Sequence, residues 1–144
     1  MDETHDRIRA VRDKQFKYIR NFHPELPYAQ RIEYAELMPT LRVWREWNAE
    51  GRLSGPQKLF FARTKPAEEL YDVDKDPHEV QNLAGSPNHR WKLDELRQAL
   101  DKWIQETRDL GATAETELIR RGLVADKLKE YERRRQPLPE KFKL

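Results

Sequence analysis

The chain has 144 residues, which is enough for about one domain with a modest core. Hydrophobic residues make up 37% of it and charged residues 38%, and the mean hydropathy of −1.06 is low for a free-standing globule. We therefore expect part of the chain to be solvated helix or loose tail. The formal charge is only +2, which does not indicate nucleic-acid or membrane binding.

The sequence contains no cysteine, which excludes disulfides, thiolate metal sites and cysteine nucleophiles within it. No apolar run approaches the length of about 20 residues that spans a bilayer, and no charged-then-apolar signal segment precedes residue 30. We expect no membrane partner, and any secretory signal of a longer parent would lie upstream. The compartment stays unknown.

Residues 7–22 are rich in β-branched and aromatic side chains around a polar Asp13-Lys14-Gln15 break, which predicts two strands joined by a short turn. A stripe at every second position of the second strand faces either a core or a partner, and it consists of Phe16, Tyr18, Arg20 and Phe22. Two prolines then predict a stiff, irregular loop over residues 23–28.

Residues 30–50 change to a helical period, with apolar side chains at Tyr34, Leu37, Leu41, Trp44 and Trp47. We expect Pro39 to interrupt this helix, Thr40 to cap its restart and Gly51 to end it. Tryptophans at this spacing are more often core residues than a carbohydrate platform, so we favour the core interpretation.

Residues 68–84, with the sequence EELYDVDKDPHEVQNLA, combine a strand pattern with a specified turn. Leu70 and Val73 are typical of a half-buried surface strand. We expect the turn at residues 74–77, because aspartate side chains cap such turns and Pro77 pre-sets its own φ.

Ser86 as N-cap and Pro87 at the first helical position predict a helix that runs to about Thr107–Leu110, with Gly111 as its stop signal. Its apolar stripe consists of Leu93, Leu96, Leu100, Trp103 and Ile104. The predicted fold class is α+β: a small antiparallel sheet of about three to four strands packed against this helix, with additional helices in the 30–62 insertion and a helical basic tail.

We expect a domain boundary at residue 111, with a charged helical tail over residues 112–144. Thr113 is the predicted cap of a short helix that Gly122 interrupts, and a weak stripe of Val124, Leu128 and Tyr131 follows before Arg133-Arg134-Arg135. Acidic residues are interspersed among the basic ones, so a solvated amphipathic helix explains this tail better than nucleic-acid binding does.

The sequence offers no convincing metal site. Asp72, Asp74 and Asp76 alternate like the first three ligands of an EF-hand loop, but Pro77 stands where glycine is needed and Leu83 where glutamate is needed. The histidines lack the helical spacing and carboxylate of a zinc site. We therefore predict no metal in this chain.

Residues 68–84 resemble the ELYD…DPHE…NLA segment near the C-terminus of sulfatases, among them the arylsulfatase and N-sulfoglucosamine sulfohydrolase types of the alkaline-phosphatase-like superfamily. Other family landmarks occur in the same order: the hairpin over residues 9–22, the Pro-rich loop over 24–28, and the packing helix with Leu96, Leu100, Trp103 and Thr107. The chain thus resembles the C-terminal domain of a sulfatase without the N-terminal catalytic domain, as a fragment or a truncated gene product.

The resemblance implies a parent enzyme that hydrolyses sulfate esters or N-sulfates of a sulfated saccharide. Its catalytic domain, normally in cis, would hold calcium and formylglycine, and we expect neither in this chain. Ser54-Gly55-Pro56-Gln57-Lys58 nearly has the spacing of the formylglycine signature, but Lys58 replaces the arginine and the stretch comes late in the chain. We therefore predict that the chain alone is not catalytic. A periplasmic or secreted location is typical of a bacterial sulfatase.

In sulfatases, loops of the C-terminal domain can wall the substrate cleft. By analogy the cleft candidates are in the N-terminal segment and the 23–28 loop: Glu3, His5, Arg7, His23 and Glu25. The family-motif residues are assigned structural roles: Leu70, Tyr71, Asp72, Asp76, Pro77, Asn82 and Leu83. We predict no catalytic residue and no metal ligand here.

Two alternatives stay open, a stand-alone interaction module and an independent hydrolase. The chain could be a stand-alone interaction module that uses Trp44, Trp47 and the basic helix to bind a protein partner or an acidic polysaccharide, and a second copy of the chain is a further candidate partner. If the domain normally packs on a larger one, its isolation exposes apolar surface, which we expect at the hairpin stripe or at the Trp44/Trp47 face.

Overall fold

The computed structural model describes residues 6–126, which divide along the chain into two compact units, the first ending at Arg108 and the second beginning at Asp109. The first unit contains a three-stranded antiparallel sheet in the order β1 (Ile8–Arg12), β2 (Phe16–Asn21), β3 (Glu68–Asp72). Its helices are α1 (Glu33–Glu36), α2 (Pro39–Ala49), α3 (Gln57–Phe60) and α4 (Arg90–Thr107). The α+β prediction, with a small antiparallel sheet and a long helix after it, is confirmed.

The turn between β1 and β2 forms where the sequence predicts it, because Asp13 satisfies the backbone at the corner. Its Oδ1 accepts hydrogen bonds from the N–H groups of Gln15 at 2.8 Å and Phe16 at 2.6 Å. The Phe16 bond, with support from the Lys92 ammonium, lowers the pKa of Asp13 to about 2. The resulting register places Val11 opposite Tyr18.

The core lies between the sheet and α4. Phe16 and Tyr18 of β2 and Leu70 of β3 pack against α4, whose buried leucines are Leu93, Leu96 and Leu100. Tyr18 and Leu70 have no exposed surface. Each fully buried large apolar side chain contributes about 1.5–3 kcal/mol relative to its exposed state.

The core interpretation of the hairpin stripe is therefore confirmed for its two buried aromatic residues. The predicted α4 stripe is wrong at one position, because Trp103 is 46% exposed while Ile104 is partly buried against the core. A helix can point only a limited arc at a sheet, and Trp103 lies outside that arc.

Strand β3 is not the half-buried surface strand that the sequence predicts. Its last four residues are buried, although it is the edge strand of the sheet. The segment that follows the turn folds back over this edge, where the N–H of Leu83 donates to the carbonyl of Leu70 at 2.7 Å. Covering an edge in this way hides backbone groups that would otherwise pair with other chains.

Helices α1 and α2 are separated at the predicted proline, but the N-cap residue of α2 is not the predicted one. Met38 is the N-cap, in extended conformation, and Pro39 begins α2, so Thr40 lies inside the helix and the predicted Thr40 cap is wrong. Proline suits the first helical turn because no intrahelical acceptor exists there for its missing N–H. Gly51, with φ +71°, follows the end of α2 as predicted.

The start of α4 also differs from the prediction. Pro87–His89 form a 3₁₀ turn before α4 begins at Arg90, and Ser86 makes no side-chain bond to a helical N–H. Its Oγ instead lies 2.9 Å from Nδ1 of His89. The end falls within the predicted range, but the residue that ends the helix is Arg108 in the left-handed region, at φ +51°, and not Gly111.

The second unit begins with a 3₁₀ turn, Leu110–Ala112, followed by α5 (Glu115–Arg120). Ala114 is the N-cap of α5, so the predicted Thr113 cap is wrong, whereas Gly122 follows α5 at φ +70°. The predicted stripe at Leu128 and Tyr131 and the arginine run lie outside the described residues, and the boundary at residue 111 stays a prediction. Within residues 6–126 no helix has the length and apolarity to cross a membrane.

Candidate functional site

The residues of the family motif build the covered edge of β3. Asn82 replaces a neighbouring strand: its Oδ1 accepts hydrogen bonds from the N–H groups of Leu70 at 3.0 Å and Ala84 at 2.9 Å. Its Nδ2 donates to the carbonyl of Glu68 at 3.1 Å. Leu83 packs against the core beside these bonds. Asn82 and Leu83 of the motif therefore have structural roles that require no ligand.

The motif aspartates are engaged in the turn and do not fit a calcium site. Asp72 accepts hydrogen bonds from the Gln15 side chain at 3.0 Å and from the N–H of Lys75 at 3.3 Å. Asp76 accepts from the N–H of Gln81 at 2.7 Å. Oxygens occupied by backbone and side-chain donors are not arranged to surround a cation. Among residues 6–126 no group of His, Asp or Glu side chains could hold a metal ion.

An ion-pair network joins α4 to the sheet, and no sequence pattern predicts it. Arg97 donates to both carboxylate oxygens of Glu68, and the buried Tyr18 hydroxyl donates to the same group at 2.5 Å. Arg20 donates to the Tyr18 oxygen at 3.0 Å and pairs with Asp101 at 2.5 Å. Arg97 and then Tyr18 lower the pKa of Glu68 to about 2, against an opposing effect of burial.

The predicted cleft residues within the described range lie where β1 begins and β2 ends. The N–H of Phe22 donates to the carbonyl of Arg7 at 3.0 Å, and the Arg7 guanidinium carbon lies 3.8 Å from the centre of the Phe22 ring. His23 Nδ1 lies 3.2 Å from a carboxylate oxygen of Glu25. Arg7, His23 and Glu25 therefore occupy neighbouring loops at one end of the hairpin, whereas Glu3 and His5 lie outside the described residues.

A buried lysine holds these loops together. The Lys65 side chain has no exposed surface, and its ammonium donates to Asp6 at 2.6 Å and to the carbonyl of Leu26 at 3.2 Å. The Lys65 backbone N–H donates to the carbonyl of Pro24 at 2.9 Å. Sequence reasoning misses Lys65 because a single lysine in an irregular segment carries no periodic signal.

A second polar cluster lies on the sheet face opposite α4, in a cavity of about 400 Å³. Glu69 is its buried carboxylate, and Asn21, Tyr28 and Tyr71 donate hydrogen bonds to it. Burial first, and then the Glu69 carboxylate, raises the pKa of both tyrosines. The sequence predicts burial of neither Glu69 nor Tyr71.

An exposed aromatic and aliphatic surface runs along α1 and α2, and we call it the α1/α2 face. Trp44 is stacked on Phe60 with ring centres 4.8 Å apart and is half-buried. The rest of the predicted stripe is not core: Tyr34 is 71% exposed, Leu37 68% and Trp47 39%. The core interpretation of the tryptophans is therefore wrong for Trp47, whereas the expected exposed apolar surface at the Trp44/Trp47 face is confirmed.

Together these features define a small α+β domain with a covered sheet edge, a loop cluster, a polar cavity and an exposed apolar face. No family model matches the chain. The chain is 47% identical over 118 residues to an ulvan-active sulfatase of Formosa agariphila, a match that covers 82% of this chain and 20% of that enzyme. It is 32% identical over 103 residues to human N-sulphoglucosamine sulphohydrolase, covering 71% of this chain and 20% of the enzyme.

Another ulvan-active sulfatase of F. agariphila is 29% identical over 102 residues, covering 71% of this chain and 18% of that enzyme. The chain therefore spans about a fifth of the length of the curated relatives it matches. The resemblance drawn from the sequence is confirmed: the relatives are sulfatases, and this chain is a sulfatase-related domain.

Proposed function

We propose that this chain is the C-terminal accessory domain of a sulfatase and packs against a catalytic domain of the same polypeptide. The observation that carries the proposal is the 47% identity of 82% of the chain to one fifth of a sulfatase. The match extends over 118 residues and is therefore not confined to a short motif. The fold of the chain then serves a larger enzyme, whose chemistry takes place elsewhere.

The α1/α2 face supports the packing part of this proposal. Tyr34, Leu37, Val43 and Trp47 are exposed along it, together with Met38. Val43, Trp44 and Trp47 line one surface groove with Pro39 and Thr40. Contiguous apolar surface of this kind on a small domain is typical of an interaction site. We propose that a surface of the catalytic domain covers this face in the complete enzyme.

The loop cluster supports a role beside the substrate. We propose that Arg7 and His23, with Glu25 and the N-terminal Glu3 and His5, wall a cleft that receives a sulfated saccharide for sulfate ester or N-sulfate hydrolysis. A guanidinium and an imidazole offer hydrogen-bond donors to sulfate oxygens. A polymeric sulfated saccharide lies outside the cytoplasm, so the proposal includes a periplasmic or secreted enzyme.

The proposal assigns the reaction itself to the catalytic domain, which would hold calcium and formylglycine. Ser54, the residue at the formylglycine-like position, lies in an exposed turn just before α3, and Lys58 follows where the signature has arginine. The chain alone is then not catalytic. An assay of the isolated chain on a chromogenic aryl sulfate with calcium should give no turnover. Turnover would contradict this assignment, whether or not it survives Ser54→Ala.

The coding DNA provides an inexpensive test of the main proposal. We expect the reading frame around these 144 codons to continue upstream into a catalytic half with a formylglycine signature. A promoter and stop codon directly upstream would instead favour the stand-alone module, which would use the exposed Trp47 to bind a protein partner, an acidic polysaccharide or a second copy of the chain. In that case the purified chain should form a defined complex or oligomer through Trp47.

A chimaera gives the functional test. In it, this chain replaces the matched segment of the F. agariphila ulvan-active sulfatase to which it is 47% identical. The proposal predicts that the chimaera folds and releases sulfate, because an accessory domain supplies packing and a cleft wall.

A further inference from the structure

The cavity on the sheet face opposite α4 has a charged floor and mostly apolar walls. β2 and β3 contribute Ile19, Glu69 and Tyr71, which alternate with the core-facing residues of the same strands. The walls come from other segments and include Leu59, Phe60 and Val80. The volume of about 400 Å³ is within the range of small-ligand sites.

Glu69 lies at the floor as a buried carboxylate without a cation. Glu69 as a whole residue is 5% exposed. Oε1 accepts hydrogen bonds from Asn21 Nδ2 and the Tyr28 hydroxyl, both at 2.6 Å, and Oε2 accepts one from Tyr71 at 2.5 Å. Within residues 6–126 no lysine or arginine forms an ion pair with Glu69. Buried carboxylates are seldom left in this state, because a buried charge is costly unless it is paired.

Two lysines beside the tyrosines of this cluster, Lys17 opposite Tyr71 and Lys65 near the Tyr28 ring, already pair with other carboxylates. Lys17 pairs with Glu79 at 2.6 Å, and Lys65 pairs with Asp6 at 2.6 Å. The Lys65 ammonium lies 6.0 Å from the centre of the Tyr28 ring, but its hydrogen bonds go to Asp6 and Leu26. Each of these lysines is neutralised by its own carboxylate, so within residues 6–126 the Glu69 charge is left without a counterion.

The floor presents acceptors to a ligand and no spare donors. The hydroxyl protons of Tyr28 and Tyr71 are used on Glu69, which leaves the lone pairs of both oxygens. The Oδ1 of Asn21, beneath the lining of the cavity, is a further buried acceptor without a hydrogen-bond partner in the described residues, so the surroundings of Glu69 add no donor. A sulfate, phosphate or carboxylate would be repelled here, whereas a group with several N–H donors and a positive charge would be stabilised.

We propose that this cavity binds an alkylguanidinium or alkylammonium group. The cationic head lies on Glu69 between the two tyrosine oxygens, and the apolar stem lies along Ile19, Leu59 and Phe60. Basic side chains bind in this manner, with the stem on apolar surface and the head on a polar group. The group comes either from a basic side chain of an attached or partner polypeptide or from a free amine. The cavity is a property of the isolated chain, so this inference does not depend on the proposed function.

The test is a titration of the purified 144-residue chain with n-butylguanidinium. NMR of labelled tyrosine rings and calorimetry both monitor the binding. n-Butylurea is the matched probe, since it has a similar shape and no charge. We expect saturable binding of n-butylguanidinium that shifts the Tyr28 and Tyr71 signals, and at least tenfold weaker binding of n-butylurea. Absence of saturable binding, or equal affinity for both probes, would overturn the proposal.

Variants test the assignment of the floor. Glu69→Gln should reduce the affinity for n-butylguanidinium at least tenfold, whereas the exposed Glu106→Gln on α4 should leave it unchanged. Should Glu69→Gln fail to fold, Tyr28→Phe decides, because it removes one oxygen from a partly exposed ring and should weaken binding at least threefold. Unchanged affinity in the folded variant contradicts the site.

The chimaera distinguishes the two sources of the cation. Exclusion of n-butylguanidinium by the chimaera, with a lower Tm for its Glu69→Gln variant, assigns the site to a side chain of the attached polypeptide. Binding of the probe to the chimaera as to the isolated chain assigns it to a free amine. A chimaera that excludes the probe and has an unchanged Tm in the Glu69→Gln variant would contradict the proposed site.

Discussion

Arg97 and Glu68 form a paired, two-bond contact between α4 and β3, with both N–H···O distances at 2.8 Å. This contact joins the helix to the sheet at a defined position, next to the buried core residues Leu93, Leu96 and Leu100. Bidentate guanidinium–carboxylate pairs combine energy with geometric specificity. The buried Tyr18 hydroxyl donates a hydrogen bond to the same Glu68 carboxylate.

Glu68→Gln should therefore destabilise the chain in a pH-dependent way. The folded-state pKa of Glu68 is about 2, below its ordinary value of 4.5. The stabilisation is then fully present above pH 4.5 and is lost as the pH falls towards 2. We expect the variant to lose about 1–3 kcal/mol of unfolding free energy at pH 7.

Urea unfolding at several pH values checks this prediction. The difference between wild type and Glu68→Gln should shrink steadily below pH 4.5, whereas the exposed Glu106→Gln should show little difference at any pH. A Glu68→Gln difference that stays constant down to pH 2 would show that packing, not charge, is responsible.

Asn82→Ala should weaken the covered edge of β3. The change removes the acceptor of the Leu70 and Ala84 N–H groups. We expect a loss of about 1–3 kcal/mol, because backbone donors are left without a partner. Hydrogen exchange at the Leu70 amide, compared with that in the neighbouring exposed variant Gln81→Ala, measures this directly. Equal protection of Leu70 in the two variants would contradict the assigned role of Asn82.

The stability costs of Leu100→Ala and Leu37→Ala should distinguish a core residue from a residue of the proposed interface. Leu100 is 1% exposed, so its truncation should cost about 2–5 kcal/mol in the isolated chain. Leu37 is 68% exposed, and its truncation should change the isolated chain by less than about 0.5 kcal/mol. In the chimaera, thermal unfolding should reveal a further loss for Leu37→Ala. A chimaera indifferent to Leu37 would argue against burial of this residue by the catalytic domain.

The cleft-wall proposal predicts an effect on substrate binding. In the chimaera, Arg7→Ala and His23→Ala should raise KM for a sulfated saccharide about 3–10-fold, as expected for the loss of charge-assisted hydrogen bonds, and change kcat little. Arg90→Ala is the matched control, since Arg90 is exposed and its ion pair within residues 6–126 is with Asp94 on the same helix. Unchanged KM in both loop variants would leave Arg7 and His23 as solvated loop residues.

The parts of the fold that the sequence predicts are local or periodic. The hairpin follows from Asp13, which closes its own turn within three residues. The α4 face follows from Leu93, Leu96 and Leu100, whose spacing presents one stripe to a sheet. The same periodicity misleads for Tyr34 and Leu37, because a stripe indicates that a face is apolar and not which partner covers it.

The sequence does not predict the buried polar contacts, for a different reason. Glu69 meets Tyr28 across 41 residues, and Lys65 meets Asp6 across 59. No local pattern encodes such encounters, so a buried glutamate and a buried lysine look like surface residues in the sequence. The cleft residues are assigned by analogy with the family, and Arg7, His23 and Glu25 lie on neighbouring loops at one end of the hairpin.

Sulfate release by the chimaera tests the central claim most directly. If this chain is an accessory sulfatase domain, the chimaera should release sulfate from ulvan at a rate within about tenfold of the parent F. agariphila enzyme, since the groups that act in the transition state are unchanged. The isolated chain should release none. A folded chimaera without sulfatase activity, or sulfate release by the isolated chain, would contradict the claim.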